Sequence, residues 1–333
     1  MQHNNSTTIE KAFAKLPLGS RILICPLNWG LGHAARCIPI IRHLIDKGNE
    51  VVIVADGFPL ELLQLEFPKL SFVEYPSYPI FYSKSKSQIG AMIRCAPGVF
   101  GRIITEHRWL KKWMKTEHFD VVISDNRFGL WNKSVKSIYI THQLMVKMPK
   151  GLKCMESVIW RFHRIFISKY DVCWIPDYAE EKNLSGNLSH KYPLPKNAQF
   201  IGSLSRFSLL KNIVPNNEYN TIAVLSGLEP HRRFFEKALI ERFENADEKT
   251  LIVQGKPQSE TQIRQVNNLT VVSHLESDQL ASLLLGAEQI ICRSGYSTIM
   301  DLDALNCLHK AEFIPIPGQT EQEYLAEIHA FKQ

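Results

Sequence analysis

The sequence predicts an α/β protein built as two doubly wound domains that face each other across a cleft. Three observations carry this. The chain has 333 residues, more than one ordinary core needs and enough for two domains of roughly 150 residues each. Short apolar runs that end in glycine-bearing turns alternate with stretches of helical periodicity along most of its length. That rhythm loosens between Ser203 and Tyr219, where Asn212, Pro215, Asn216 and Asn217 interrupt it. The expected division is a flexible polar lead-in over 1–20, a first domain over 21–203, a linker over 204–219 and a second domain over 220–333.

In the first half, Arg21 to Leu27 is a buried strand that runs into Asn28-Trp29-Gly30. Ile38, Ile41, Leu44 and Ile45 then recur at helical spacing until Gly48 and Asn49 stop the helix. Val51–Ala55, Phe72–Tyr75, Asp120–Ser124, Ser137–Thr141 and Tyr170–Ile175 read as further strands, with a long helix over Ile89–Lys115. Leu152, Met155, Ile159, Phe162 and Phe166 place an apolar stripe on a helix, which suits either the core or an anionic bilayer. In the second half the strands are Thr221–Leu225, Leu251–Gln254, Val271–Val272, Gln289–Cys292 and Glu312–Pro315. Helices are expected near His231–Asn245, Ser277–Leu285, Ser297–Leu305 and Glu321–Phe331.

Composition excludes several classes. No apolar run approaches the ~18–20 residues of a membrane span, and the start lacks a signal-peptide core, so a cytoplasmic protein is expected. The seven cysteines are scattered without a C-x-x-C pair, which suits reduced thiols and neither a disulfide frame nor a zinc site. The formal charge of +6 is uneven. Lys84, Lys86, Arg94, Arg102, Arg108, Lys111, Lys112 and Lys115 face one acid, Glu106; Lys147, Lys150, Lys153, Arg161, Arg164 and Lys169 face Glu156. Such runs attract an anionic membrane, a phosphorylated substrate or nucleic acid, and they equally suit a solvated surface.

The chemistry-bearing residues sit at strand ends. Strand Gln289–Cys292 runs into Arg293-Ser294-Gly295 and then a helix. Free amides at that helix start, with its dipole, favour a phosphate, Gly295 lets the backbone approach a ligand, and Arg293 adds charge. Asp301, about a turn further on, suits a pair of ribose hydroxyls. A second turn, Ser226-Gly227 through Arg232, follows the strand Thr221–Leu225. Pro315 to Glu323 forms a third, where Gln322 and Glu323 offer groups suited to sugar hydroxyls. Asp301-Leu302-Asp303 spells D-x-D, but on a helix i and i+2 point apart, so no metal is expected there.

RSGYSTIMDL followed by PGQTEQEYLA resembles the C-terminal half of the GT-B glycosyltransferases of family 28, related to the bacterial lipid-II N-acetylglucosaminyltransferase. Asn28-Trp29-Gly30-Leu31-Gly32-His33-Ala34-Ala35-Arg36 resembles the family's glycine-rich first turn and its Gly-x-Gly-His-x-x-Arg variants. Asp125, Thr141-His142-Gln143 and Ile201-Gly202-Ser203 fall where a related branch has similar segments. The resemblance implies a GT-B fold of two Rossmann-like domains.

The resemblance also implies roles. Asp301 grips the ribose of a nucleotide, Ser226, Gly227, Ser294 and Gly295 cradle the diphosphate, and Leu275 meets the base. Gln322 and Glu323 hold the donor sugar, while Gly30, Gly32, His33 and His142 face the acceptor. The reaction implied is inverting and metal-independent, with Arg232 or Arg293 offsetting the departing diphosphate's charge. His33 titrates in a useful range for the base, and Asp125 is the second candidate. No cofactor is expected, since the nucleotide sugar, a UDP-sugar by resemblance, is a substrate. The basic first domain favours an anionic or lipid-linked acceptor at the inner membrane face, and no nucleic acid is expected. The alternatives are a nucleotide-sugar hydrolase of the same fold and a non-catalytic nucleotide-sugar binder.

Overall fold

The computed structural model describes residues 9–77, 88–258 and 260–330. Lys84 and Lys86 of the basic run, residues 1–8 of the lead-in, and the last residue of the expected Glu321–Phe331 helix lie outside them.

Two sheets organise these residues. The first holds β1 (Arg21–Pro26), β2 (Glu50–Ala55), β3 (Ser71–Glu74), β4 (Val121–Asp125), β5 (Lys136–Ile140), β6 (Val172–Ile175) and β7 (Ala198–Phe200), in the order β3-β2-β1-β4-β5-β6-β7. Its pairings are parallel throughout. The second holds β8 (Thr221–Val224), β9 (Thr250–Val253), β10 (Ile263–Val266), β11 (Leu269–Val272), β12 (Gln289–Cys292) and β13 (Ala311–Phe313), in the order β10-β11-β9-β8-β12-β13. Only the exposed β10 runs antiparallel there, against β11. It was not foreseen, because Ile-Arg-Gln-Val is too polar and too short to carry an apolar run.

The connecting helices are α1 (Gly32–Asp46), α2 (Gly57–Glu66), α3 (Gln88–Trp113), α4 (Met155–Ile167), α5 (Asn187–His190), α6 (His231–Phe243), α7 (Ser277–Gly286), α8 (Tyr296–Ala304) and α9 (Thr320–Ala330). Buried on both faces, the strands read as continuous apolar runs: Ile22 to Cys25 and Val121 to Ile123 are fully inaccessible.

In each sheet the chain reverses its direction of travel once, between β1 and β4 in the first and between β8 and β12 in the second. Ligands bind beyond strand C-termini at such switch points. The two switch points face each other, because α8 docks one domain on the other. Tyr296, Ile299 and Met300 join the first domain's core beside Ala34 and Ile38, while Leu302 and Leu305 join the second domain's own core.

The described part of the lead-in is not loose. Residues 9–13 are helical, and Ala12, Phe13 and Leu16 are buried. The Phe13 ring meets Trp174 at 5.5 Å. Ile9, Ala12, Phe13 and Leu16 follow i, i+3, i+4, i+7, a helical spacing masked by the polar residues before it.

The helix α4 is also turned differently from a core helix. Its inward face is Glu156, Trp160, His163 and Ile167, whereas Met155, Val158, Phe162 and Ile165 stand 36–56% exposed.

Candidate functional site

The site grows from four strand ends. β1 ends at Pro26, and the turn Asn28 to Leu31 delivers the chain to α1. Gly30 has φ +91, a backbone that glycine adopts without cost. Because α1 starts at Gly32, His33 and Arg36 lie one turn apart on one face. That face meets Asp125, the last residue of β4, since β1 and β4 are paired from Ile22–Val121 to Pro26–Asp125.

Asp125 is fully buried. Arg36 donates from Nε to its Oδ2 at 2.6 Å and from Nη2 to its Oδ1. The same Oδ1 lies 3.0 Å from Nδ1 of His33. Burial alone would raise the Asp125 carboxyl, but the charges and hydrogen bonds of Arg36 and His33 outweigh it and hold it well below the usual carboxylate range. With both oxygens engaged and no accessible surface, Asp125 cannot serve as the second candidate base; it orients His33. Burial, opposed by Asp125 and reinforced by Arg36, lowers the pKa of His33. The ring is therefore neutral at pH 7, and it lines the cleft.

His142 lines the cleft as well, but both ring nitrogens are engaged, Nδ1 by Arg36 Nη1 at 3.0 Å and Nε2 by Glu321 Oε1 at 2.8 Å. Its ring stacks on Tyr296 at 4.2 Å and 3°. It joins the two domains and is not a free acid or base.

In the second domain, Gly295 precedes α8, and Ser297, Thr298 and Asp301 share one helical face that lines the cleft. A Cβ added at Gly295 would meet only Thr298 Oγ1, at 3.8 Å, so the space over this helix start is open. Ser226 and Gly227, after β8, line the cleft from the other side. Asp301 accepts a 2.6 Å hydrogen bond from Ser205 Oγ and lies 3.5 Å from Nε of Arg206. Asp303 instead accepts from Tyr178 OH at 2.8 Å, so the two carboxylates of Asp-Leu-Asp serve separate partners. Among the described residues no group of three or more His, Cys, Asp and Glu side chains is placed to hold a metal ion.

Several expected contacts are rearranged. Arg232 is 3% exposed and committed to Glu229 and Glu236. Arg293 lies over the Phe235 ring at 4.0 Å and donates to the carbonyls of Ile314 and Pro315; burial pulls its pKa down to about 10. Neither guanidinium lines the cleft. Arg206 does, from a segment expected to be mere linker, where no periodicity marks it. Ser294 is fully buried and donates to the Gln322 carbonyl at 2.7 Å, so its hydroxyl braces α9 and does not cradle a phosphate.

Gln322 lines the cleft, its Oε1 held by the Ile316 amide at 2.9 Å. Glu323 is exposed and accepts from the Gly318 amide at 2.7 Å. Of the two glutamates, Glu321 is the one in the cleft, because residues two apart on α9 point to different sides. Leu275 packs on the second domain's core, and its neighbour His274 faces the cleft. Burial, reinforced by Arg206, lowers the pKa of His274 to about 4.

The two sides touch at the cleft floor. A Cβ on Gly30 would lie 3.3 Å from Cα and N of Gly227. One on Gly32 would lie 2.6 Å from Ser297 Oγ, which donates to the Gly32 carbonyl at 3.0 Å.

No family model matches the chain. It is 23% identical over 291 residues to the UDP-N-acetylglucosamine–N-acetylmuramyl-(pentapeptide) pyrophosphoryl-undecaprenol N-acetylglucosamine transferase of Sulfurihydrogenibium sp. (strain YO3AOP1), covering 86% of this chain and 75% of that protein. It is 22% identical over 325 residues to an uncharacterized glycosyltransferase of Methanosarcina acetivorans, covering 92% and 83%. Among solved structures it is similar to the calicheamicin glycosyltransferase CalG4 (TM-score 0.54, 12% identity, 94% of this chain and 83% of that one). It is also similar to the S. aureus MnaA–UDP complex (TM-score 0.54, 11% identity, 93% and 87%).

Sheet order, facing switch points and these likenesses define the GT-B fold, and fold and relatives together place the chain among the glycosyltransferases. Within that class it resembles the lipid-II N-acetylglucosaminyltransferase group.

Proposed function

We propose that the protein transfers a sugar from a nucleotide-diphosphate donor, a UDP-sugar, to a lipid-linked acceptor, with inversion and without a metal ion. One observation carries this reading. A neutral histidine oriented by a buried carboxylate, His33 with Asp125, shares a cleft with an open helix start that carries Ser297, Thr298 and Asp301. The first supplies a general base and the second an anion site.

The acceptor hydroxyl attacks the anomeric carbon on the face opposite the diphosphate. Its oxygen bonds to that carbon as the bond to the diphosphate oxygen breaks, and its proton passes to Nε2 of His33. The leaving diphosphate rests on the Gly227 turn and the α8 N-terminus, whose dipole offsets its charge. Arg206, beside Asp301, adds a guanidinium at the cleft. The Asp301 carboxylate takes the ribose hydroxyls, and Gln322 and Glu321 the sugar.

The acceptor is membrane-borne in this reading. Phe162 and Ile165 are exposed on α4 and Phe100 and Ile104 on α3, and the two helices meet where the Phe100 and Phe166 rings lie 6.2 Å apart. Arg102, Lys153, Arg161 and Lys169 are exposed on the same two elements or their flanks. An apolar patch with a basic surround suits an anionic bilayer surface. Among the described residues no helix is long and apolar enough to cross a membrane.

Incubation with UDP-sugars, with and without an undecaprenyl-pyrophosphoryl sugar, tests the reaction. Acceptor-dependent UDP release supports transfer. Equal release without acceptor makes water the acceptor, and no release with any nucleotide sugar removes the reading.

A further inference from the structure

Arg36 is where the two domains' polar groups converge. Nε and Nη2 hold the two oxygens of Asp125, whose Oδ2 also lies 3.7 Å from Cys37 Sγ. Nη2 also lies 2.9 Å from Nδ1 of His33. Nη1 lies 3.0 Å from Nδ1 of His142, and Nε2 of His142 lies 2.8 Å from Glu321 Oε1, at the start of α9, whose Leu325 is buried in the first domain's core. Tyr296, stacked on His142, donates its hydroxyl to the Pro176 carbonyl at 2.8 Å.

A guanidinium only donates. Nδ1 of His142 therefore presents a lone pair to Arg36, and its proton sits on Nε2, facing the Glu321 carboxylate. At His33 two partners compete for Nδ1. Asp125 at 3.0 Å accepts a hydrogen there, whereas Arg36 at 2.9 Å needs a lone pair. One ring nitrogen serves only one of them.

Resting on the reading of His33 as the base, we propose that Arg36 is a positioning residue through which Glu321, at the start of α9, selects the tautomer of His33. With Glu321 holding His142 and His142 holding Nη1, the guanidinium stays on Asp125. The proton on Nδ1 of His33 goes to the carboxylate, and Nε2 keeps the lone pair that takes the acceptor's proton. When the Glu321 contact is lost, His142 is no longer held against Nη1, and Nη2 donates to Nδ1 of His33. The ring gives up its Nδ1 proton to solvent and takes one on Nε2, where it no longer acts as a base. The base is then competent only while Glu321 holds His142.

Nitrogen-15 NMR of histidine-labelled protein at neutral pH reads the tautomers directly, with His33→Ala and His142→Ala for assignment. The expected wild-type pattern is Nδ1–H for His33 and Nε2–H for His142. In Glu321→Ala, His33 shifts toward Nε2–H and kcat falls about tenfold, within the range of a misplaced base. In Arg36→Lys, which lacks the fork, Glu321→Ala no longer moves the His33 tautomer. If Arg36→Lys does not fold, Glu321→Ala alone decides. A His33 tautomer identical in wild type and Glu321→Ala, or Nε2–H in the wild type, overturns the coupling. Full turnover in His33→Ala would instead remove the base assignment, an outcome separate from the tautomer readout.

Discussion

Gly30 and Gly227 meet across the cleft, each with a positive φ (+91 and +98), and a Cβ on Gly30 would press on the Gly227 backbone at 3.3 Å. Nothing lies within 4 Å of a Cβ added at Gly227. The two alanine variants should therefore differ. Gly227→Ala carries only the strain of its φ, about 1 kcal/mol. Gly30→Ala carries the same strain and also presses on the Gly227 backbone at the cleft floor. Thermal melts should show the two variants within about 1–2 kcal/mol of each other, while kcat falls further in Gly30→Ala. Equal kcat values would separate the contact from catalysis.

Arg206 lines the cleft on the Asp301 side, and Arg232 is structural. Arg206→Ala should weaken UDP binding by about tenfold, the scale of one charge-assisted contact. Arg232→Met should leave UDP affinity intact and lower stability by about 1–3 kcal/mol, because Glu236 keeps a half-buried charge with its partner gone. Calorimetry paired with urea unfolding separates the two roles.

The pH profile follows from His33. Its folded pKa is below the ordinary histidine value, first through burial and then through Arg36, against the pull of Asp125. A base works unprotonated, so kcat/KM should be flat through pH 7 and fall only as pH drops below about 6.5. Arg36→Gln removes a positive neighbour and should move that acid limb upward. An acid limb above pH 7 in the wild type would contradict the assignment.

Much of this was legible in the sequence because parallel strands bury both faces and advertise themselves as apolar runs. The turns at Gly30, Gly227 and Gly295 fell where they did because strand and helix periods meet there. Side-chain allegiance was not legible. Arg232 and Arg293 look like phosphate ligands until Glu229, Glu236 and the carbonyls of Ile314 and Pro315 surround them. Arg206 and Ser205 sit in an irregular segment with no period, so only the folded chain brings them to Asp301. Glu321 and Glu323 lie two residues apart in a helix that starts at Thr320, so they point to different sides, and only the register decides which faces the cleft. Arg36 carried a usable signal, three residues after His33 on a helix face.

The exposed face of α4 predicts membrane contact. Phe162→Ser with Ile165→Ser should reduce co-sedimentation with anionic vesicles several-fold and leave UDP binding unchanged, since neither residue lines the cleft. Lys111, Lys112 and Lys115 are exposed on or just after α3. Their removal should weaken vesicle binding and flatten its dependence on anionic lipid content, at about 1 kcal/mol per charge near the surface. Unchanged sedimentation in both variants would leave the patch without a membrane role.

The central claim is that this cleft holds a nucleotide-diphosphate donor with Asp301 on its ribose. Calorimetric titration of UDP into the wild type and Asp301→Asn tests it most directly. The expected result is one UDP per chain, with affinity about 10–100-fold lower in the variant, the loss of a charged acceptor for two hydroxyls. No UDP binding to the wild type, or the same Kd in both proteins, would contradict it.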